Sequence, residues 1–246
     1  MSITNLHHKR DRPSRLEDFL RAGRVLESVM FDLDGTLIDS VPTYFRIAEA
    51  MLREVGLPPA PREAVAAMLK EGLSGFHHLI PDEMRDRKGE LIKACMRAGK
   101  KISARMYPDA VTLVPGVQAL FECLSEAGIR IGLVTSSHAA FIERKLLPLK
   151  EARIDRMIHA VVLLDDTEER KPSPEPVSTC VRRLGAAADR SLFVGDADVD
   201  MEAGRRAGTF TVGVLTGVDD YHTLSLNLPD LIVPSVRELI PLFPTP

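Results

Sequence analysis

Short, continuous runs of apolar residues are the clearest pattern along the chain. The runs long enough to form a β-strand lie at residues 28–33, 130–135, 158–164, 191–194 and 209–215. Continuous apolarity is typical of strands that are covered on both faces, as in a parallel sheet. Helix-like stretches such as "GVQALFECLSEAG" and "PEPVSTCVRRLG" separate the runs. This alternation predicts an α/β fold with a doubly wound parallel sheet.

The interval between the first two predicted strands breaks this alternation. It contains helical patterns such as "YFRIAEAMLREVG" and "REAVAAMLKEG" and no convincing strand. We therefore predict an all-helical subdomain at residues 41–108, inserted into a core that is formed by residues 1–40 and 109–246. Pro108 and the Pro115-Gly116 pair mark the return of the chain to that core.

Composition narrows the classes of function. The 246 residues include 32 Lys and Arg against 35 Asp and Glu, a balance that does not favour binding to nucleic acid or to an anionic membrane. The N-terminal stretch is too polar for a secretory signal, and no run approaches the roughly 18 apolar residues of a membrane span. Cys95, Cys123 and Cys180 lie far apart, which fits a reducing compartment. We expect a cytoplasmic protein.

Carboxylates cluster where the predicted strands end. Asp32 and Asp34 follow the first strand, and Asp196 opens "DADVD" after the fourth. Two ionised carboxylates about 4 Å apart repel by roughly 4 kcal/mol at an effective dielectric near 20, so they need a cation or a shared proton. Hard oxygen ligands favour Mg²⁺. A calcium-binding EF-hand loop is excluded, because its glycine and glutamate positions are not filled from either Asp32 or Asp196.

Hydroxyl groups and a lysine follow two other predicted strands. Thr135 and Ser136 stand where a helix begins, with Ser137 as the expected N-cap, and helix N-termini attract phosphate. Lys171 precedes Pro172, which favours an extended conformation, and Ser173 is the expected N-cap of the next helix. Ligands of such sheets bind beyond the carboxyl ends of the strands, so a fixed cation here suits an anionic ligand.

Four of these segments together resemble the motifs of the haloacid dehalogenase superfamily, in its phosphatase branch around phosphoglycolate phosphatase and β-phosphoglucomutase. The motifs are "DLDGTLIDS", "LVTSS", "RKPSPEP" and "VGDADVDMEAGRRAGT", and "GVLTG" resembles the strand that follows the last one. The resemblance runs from about residue 28 onward and implies a Rossmann-like core with a helical cap that closes over the site and reads the substrate.

The resemblance also implies roles for individual residues. Asp32 would be the nucleophile, and Asp34 would protonate the leaving oxygen and then activate water. Mg²⁺ would be held by Asp32, Asp196 and the backbone carbonyl of Asp34, while Lys171 would bind the phosphoryl group. The supporting residues would be Thr135 and Ser136 for phosphate, Asp200 to orient Lys171 or a metal-bound water, Gly35 for a tight turn and Thr36 for a local hydrogen bond.

The implied substrate contacts lie in the insertion. "KEGLSG" resembles the substrate-facing loop of the cap, and the candidate contacts are Lys70, Gly72, Ser74, His77, His78 and Arg105. β-Phosphoglucomutases tend to carry Arg directly after a similar G-x-S, where this chain has Gly75. We therefore expect a Mg²⁺-dependent phosphatase that acts on a small phosphorylated metabolite resembling phosphoglycolate or a sugar phosphate. A phosphomutase, a pyrophosphatase and a non-catalytic phosphate- or metal-binding protein are the alternatives, and the sequence leaves the oligomeric state open.

Overall fold

In the computed structural model, which describes residues 14–107 and 110–243, the chain divides into two units. One unit comprises the residues up to Asp39 and from Leu113 onward, and the other comprises Ser40–Thr112. The predicted insertion ends at Pro108, which lies outside the described residues together with Asp109.

The first unit contains a parallel β-sheet. Its strands are β1 (Ser28–Phe31), β2 (Arg130–Val134), β3 (Ile158–Val162), β4 (Ser191–Gly195), β5 (Phe210–Val214) and β6 (Leu231–Val233). Among the described residues these strands form a six-stranded sheet in the order β3-β2-β1-β4-β5-β6, and all neighbours are parallel. The predicted doubly wound parallel sheet is confirmed. Strand β6 was not predicted, because three apolar residues at a sheet edge are too short to stand out.

Both faces of the central strand are buried, which explains why its sequence does not alternate. Phe31 packs against Phe121 with ring centroids 5.5 Å apart. Its neighbour Met30 belongs to a cluster with Val177 and Phe193. Successive side chains of a strand point to opposite faces, so consecutive apolar residues indicate apolar layers on both sides.

The helices alternate with the strands except in the second unit. In chain order they are α1 (Arg15–Arg21), α2 (Val41–Val55), α3 (Arg62–Glu71), α4 (Lys88–Met106), α5 (Val117–Glu126), α6 (Ala139–Lys145), α7 (Leu147–Glu151), α8 (Glu175–Leu184), α9 (Asp198–Arg206) and α10 (Tyr221–Ser225). In the part of the chain that the structure describes, no helix is long and apolar enough to cross a membrane.

Two predicted helix starts are wrong. The N-cap of α6 is His138 rather than Ser137, because the carboxylate of Asp165 accepts the Ala139 N–H at 2.6 Å and takes over the capping role. The N-cap of α8 is Pro174, and Ser173 lies one residue outside it, where its Oγ accepts the Glu175 N–H at 3.3 Å.

The described residues of the second unit form helices and no strand. Helices α2, α3 and α4 bury a common cluster that includes Met51, Leu52, Leu79 and Cys95. The predicted "KEGLSG" loop is instead helical, since Lys70 and Glu71 end α3 and Gly72–Leu79 forms a 3₁₀ helix. The Ser74 hydroxyl donates to the Glu71 carbonyl at 2.9 Å, and this bond links the 3₁₀ helix to the end of α3.

Residues ahead of β1 are tied to the sheet edge. Ser14 and Glu17 cap α1 reciprocally in a capping box. Phe19 packs on Phe210 of β5 with centroids 5.0 Å apart, and the Leu16 N–H donates to Asp230 at 3.3 Å. Helix α1 therefore covers the β5 end of the sheet.

Candidate active site

A buried ion cluster lies at the carboxyl ends of β1 and β4. Asp32 directly follows β1, and its N–H donates to the Val194 carbonyl at 2.9 Å, which keeps it in register with β4. The Lys171 ammonium lies 2.6 Å from Asp32 Oδ1 and 2.6 Å from Asp200 Oδ1. The side chains of Lys171, Asp32 and Asp200 are 4%, 10% and 2% exposed. The structure thus brings together residues that are up to 168 positions apart in the sequence.

The pKa values of the titratable groups in this cluster differ strongly from their ordinary values. Burial, with the nearby charges of Asp200 and Asp34, raises the pKa of Asp32 from 3.8 to about 7 against the opposing effect of Lys171. Burial also raises the pKa of Asp196, and the charges of Asp32 and Asp200 act in the same direction. For Lys171 burial opposes the charged form, but the carboxylates of Asp200 and Asp32 outweigh it and raise its pKa. When ionised, the carboxylates of this cluster carry more negative charge than the Lys171 ammonium can balance.

The donor set fits a hard divalent cation. Asp32, Asp196 and Asp200 each offer an oxygen, and these oxygens lie within 4.8 Å of one another. Such a group suits Mg²⁺, which takes one or two carboxylates and keeps water ligands. The raised pKa values of these carboxylates reflect a shortage of positive charge in the cluster. A bound cation would supply that charge. The backbone carbonyl of Asp34 stays a predicted ligand.

The turn after β1 brings its backbone close to Asp196. Gly35 has φ of +79°, and a Cβ there would lie 2.6 Å from Asp196 Oδ2. The Thr36 hydroxyl donates to Asp196 Oδ1 at 3.2 Å. The Thr36 N–H donates locally, to the Leu33 carbonyl at 3.4 Å, so Thr36 has a local partner as well as one on the neighbouring strand end.

A loop after β5 contacts the same carboxylate and was missed as part of the site. The Val218 N–H donates to Asp196 Oδ2 at 2.8 Å, and the Thr216 hydroxyl donates to the Gly35 carbonyl at 2.6 Å. A Cβ at Gly217 would lie 1.8 Å from Asp196 Oδ2. The "GVLTG" segment was the available signal, but sequence does not show which strand ends it meets.

The predicted phosphate-binding residues lie at the end of β2. Thr135 is buried, its N–H donates to the Val162 carbonyl at 3.0 Å, and its hydroxyl donates to Ser137 Oγ at 3.1 Å. Ser136 follows and is exposed. Lys171 reaches this strand end as well, since its ammonium lies 3.5 Å from the Val134 carbonyl.

Asp34 has a partner that the sequence analysis missed. The ammonium of Lys145 pairs with Asp34 Oδ2 and lies 2.7 Å from Ser137 Oγ. Ser137 Oγ is itself 3.5 Å from Asp34 Oδ2. No sequence signal pointed to Lys145, because it sits at the far end of α6 and no motif spacing connects it with Asp34.

The candidate substrate contacts of the insertion lie in the second unit. His77 Nδ1 is 2.7 Å from the Ser74 carbonyl, and His78 Nε2 is 2.8 Å from Glu71 Oε1. Ligand atoms of Glu71, His77 and His78 lie within 4.8 Å of one another, so they form a second group able to hold a metal. The roles of Lys70, Gly72, Ser74, His77, His78 and Arg105 toward a substrate stay predictions.

Gly75 packs closely against the backbone of helix α3. It is buried, and a Cβ at this position would lie 2.6 Å from Cα of Met68 in α3. Real Cβ atoms do not approach backbone that closely, so the helix would have to move to accept a side chain. The position where β-phosphoglucomutases tend to carry Arg therefore has no room for one.

The thiols of the described residues are buried and free. Burial raises the pKa of Cys180 to about 12, so it stays protonated near neutral pH. No disulfide links Cys95, Cys123 and Cys180, and burial raises the pKa of each of the three thiols.

The sequence of this chain is similar to those of known proteins. Residues 29–214 match the family model of haloacid dehalogenase-like hydrolases. A phosphoglycolate phosphatase of Pseudomonas syringae pv. syringae is 30% identical over 225 residues, which cover 90% of this chain and 81% of the relative.

Solved structures share the fold. A predicted phosphoglycolate phosphatase from Haemophilus somnus superposes with a TM-score of 0.76 at 22% identity, covering 88% of this chain and 97% of the other. A Thermotoga maritima protein provisionally assigned as a β-phosphoglucomutase gives 0.67 at 21% identity, covering 87% and 98%. At these identities the likeness concerns the fold alone.

Proposed function

The chain belongs to the haloacid dehalogenase-like hydrolase family, and from this premise we propose that it is a Mg²⁺-dependent phosphatase of small phosphate monoesters. The observation that carries the proposal is the buried contact of Lys171 with both Asp32 and Asp200, beside Asp196. This cluster offers a nucleophilic carboxylate, a fixed cation and a metal-binding oxygen group at one sheet edge.

The first half of the reaction transfers the phosphoryl group to the protein. A carboxylate oxygen of Asp32 attacks phosphorus in line, and a P–O bond forms as the ester P–O bond breaks. Asp34 donates its proton to the departing alkoxide, so the product leaves as an alcohol. An aspartyl-phosphate on Asp32 and a carboxylate on Asp34 remain.

The second half returns Asp32 to its initial state. Asp34 takes a proton from a water molecule as that water attacks phosphorus, and the bond between phosphorus and the Asp32 oxygen breaks. Inorganic phosphate leaves and Asp34 is again protonated. The two carboxylates after β1 thus have separate roles, one covalent and one in proton transfer.

Charge stabilisation by fixed groups supplies much of the catalysis in this proposal. The Lys171 ammonium is already oriented by Asp32 and Asp200, so it requires little reorganisation to bind the phosphoryl oxygens. The Thr135 hydroxyl and the Ser136 N–H are the proposed further donors. Asp32, Asp196 and the Asp34 carbonyl would hold Mg²⁺, which supplies charge neutralisation at the transferring phosphoryl group.

The packing of Gly75 favours a phosphatase over a phosphomutase. Because a Cβ at Gly75 would lie 2.6 Å from the Met68 backbone, this chain has no room for the arginine that mutases tend to carry there. The Pseudomonas syringae relative is a phosphoglycolate phosphatase, so we propose a small substrate of that kind or a sugar phosphate. We further propose that the unit with the sheet is the catalytic core and Ser40–Thr112 the inserted cap.

A phosphate-release screen tests the proposal. The purified protein is incubated with some tens of metabolites, including 2-phosphoglycolate, sugar phosphates, nucleotides and pyrophosphate, with Mg²⁺ or with EDTA. We expect Mg²⁺-dependent release from small monoesters and none from Asp32→Asn, which keeps the side-chain volume. Isomerised sugar phosphate without free phosphate would show a mutase, and release from Asp32→Asn at the wild-type rate would overturn the assigned nucleophile.

A further inference from the structure

Lys145 contacts the proposed acid and base of the reaction, and no family motif includes it. It is the last residue of α6, and its ammonium pairs with Asp34 Oδ2. The Lys145 side chain is 12% exposed and that of Asp34 is 24% exposed, so the pair is largely shielded from water. The contact joins the end of one helix to the turn after β1.

Ser137 completes this contact as a third member. Its hydroxyl lies 2.7 Å from the Lys145 ammonium and 3.5 Å from Asp34 Oδ2. Ser137 is buried and also receives the hydroxyl hydrogen bond of Thr135 at 3.1 Å. Asp34 is therefore linked through Ser137 to the strand end where the phosphoryl group is proposed to bind.

The pair differs from the surface ion pairs of the same region. Lys150 pairs with Glu143 nearby, but those side chains are 38% and 77% exposed. Exposed pairs of this kind contribute little, because water and salt screen the attraction. Holding the long lysine side chain in one buried geometry costs rotamer entropy. A shielded pair at the reaction site thus points to a positioning role.

We propose that Lys145, together with Ser137, is a positioning residue that fixes the carboxylate of Asp34 for proton transfer; this rests on the proposed function. Both partners contact Oδ2, which restrains rotation of the carboxylate and sets the direction of Oδ1. Proton transfer requires an acid within hydrogen-bond reach of the departing oxygen. Displacement of a catalytic group by about 1 Å can cost on the order of 10²-fold in rate.

The test measures how the leaving group changes the effect of Lys145→Met. The value of kcat/KM reports phosphoryl transfer to Asp32. In this step the leaving oxygen of an alkyl ester needs to be protonated, whereas the leaving oxygen of p-nitrophenyl phosphate needs protonation far less. We expect kcat/KM to fall roughly 10- to 100-fold on 2-phosphoglycolate and by a clearly smaller factor on p-nitrophenyl phosphate. Lys145→Arg should recover part of the loss, and the matched control Lys150→Met should behave as wild type.

A double-mutant cycle with Asp34→Asn separates positioning from general damage. If Lys145 acts through Asp34, Lys145→Met causes little further loss in the Asp34→Asn background. Equal losses on both substrates, additive losses in the cycle, or wild-type kinetics of Lys145→Met would each overturn the inference. These outcomes differ from failure of the proposed function, which would appear as normal turnover by Asp32→Asn.

Discussion

At the scale of single residues, the site is governed by an imbalance of charge. Lys171 meets Asp32 and Asp200 at 2.6 Å each, and Asp196 adds a further buried carboxylate beside them. Burial of a carboxylate is costly unless it is paired or neutralised, which explains the raised pKa values of Asp32 and Asp196. Such an imbalance would destabilise a metal-free fold and would favour binding of a cation.

Lys171→Met should reduce both activity and stability. Loss of one preorganised charge-stabilising donor typically lowers kcat by about 10²–10³-fold. Removing one partner of a buried ion pair costs about 3–5 kcal/mol, so we expect a marked fall in the melting temperature in EDTA. Enzyme assays and thermal unfolding followed by circular dichroism measure both effects. The exposed Lys101, changed to Met, is the control, and a Lys171→Met protein that melts like wild type in EDTA would contradict the account.

Gly217→Ala should weaken Mg²⁺ binding. The new Cβ would lie 1.8 Å from Asp196 Oδ2, so the loop or the carboxylate must move and the Val218 hydrogen bond is disturbed. Loss of such supporting contacts typically costs about 10- to 100-fold in metal affinity. Calorimetric titration with Mg²⁺ measures the change. Gly89→Ala is the control because a Cβ there meets nothing within 4 Å, and unchanged affinity in Gly217→Ala would refute the prediction.

At the scale of elements, the packing of short segments was harder to predict than the elements themselves. The length of β1 and the apolar layers around Phe31 and Met30 made the parallel sheet visible in the sequence. Strand β6 and the capping of α6 by Asp165 depend on contacts between distant segments, so local patterns did not show them. The packing of helix α1 on β5 depends on a distant segment in the same way and was not predicted.

Asp230→Ala should loosen the attachment of α1 to the sheet. The buried Asp230 carboxylate accepts the N–H groups of Thr211 at 2.9 Å and Leu16 at 3.3 Å and pairs with Arg15. Leaving buried donors without an acceptor costs about 1–3 kcal/mol each, so the free energy of unfolding should fall by at least that amount. Urea unfolding measures it, with the exposed Asp189→Ala as the control. Specific activity of the folded protein should stay unchanged, and unchanged stability would show that the contact is dispensable.

At the scale of the whole molecule, metal binding and stability should be linked through pH. The pKa of Asp32 is raised from 3.8 to about 7 in the folded metal-free protein, so its contribution to stability is present below about pH 4 and is lost as the pH rises through about 7. Asp196 acts in the same direction. Mg²⁺ bound by these carboxylates would compete with the protons and remove the repulsion.

The stabilisation by Mg²⁺ should therefore be larger at about pH 8 than at about pH 5. Thermal unfolding of wild type in EDTA and in excess Mg²⁺ at the two pH values measures it. A ligand at about 100 times its Kd adds about 2.7 kcal/mol, which is readily detected. Asp196→Asn should lose most of the Mg²⁺ effect and its pH dependence. Equal stabilisation at both pH values would contradict the proposed link.

The sequence revealed more of the site than of its surroundings. Asp32, Asp196 and Lys171 were recognisable because each follows a strand whose carboxyl end meets the others at one edge. Lys145 and the loop at Gly217 were not, since their roles depend on the direction in which a helix and a loop leave the sheet. Thr36 illustrates the same limit, because the bond of its hydroxyl to Asp196 on the neighbouring strand end was not predicted.

Asp32 is the residue proposed to carry the phosphoryl group during turnover, and trapping that intermediate is the decisive test. Enzyme turning over its best substrate with Mg²⁺ is quenched in acid and treated with borohydride, which reduces an aspartyl-phosphate to homoserine, and the peptides are sequenced by mass spectrometry. We predict homoserine at position 32, dependent on both substrate and Mg²⁺. Homoserine at another aspartate, or none at position 32 under conditions that trap the intermediate in a known aspartyl-phosphate enzyme, would contradict it.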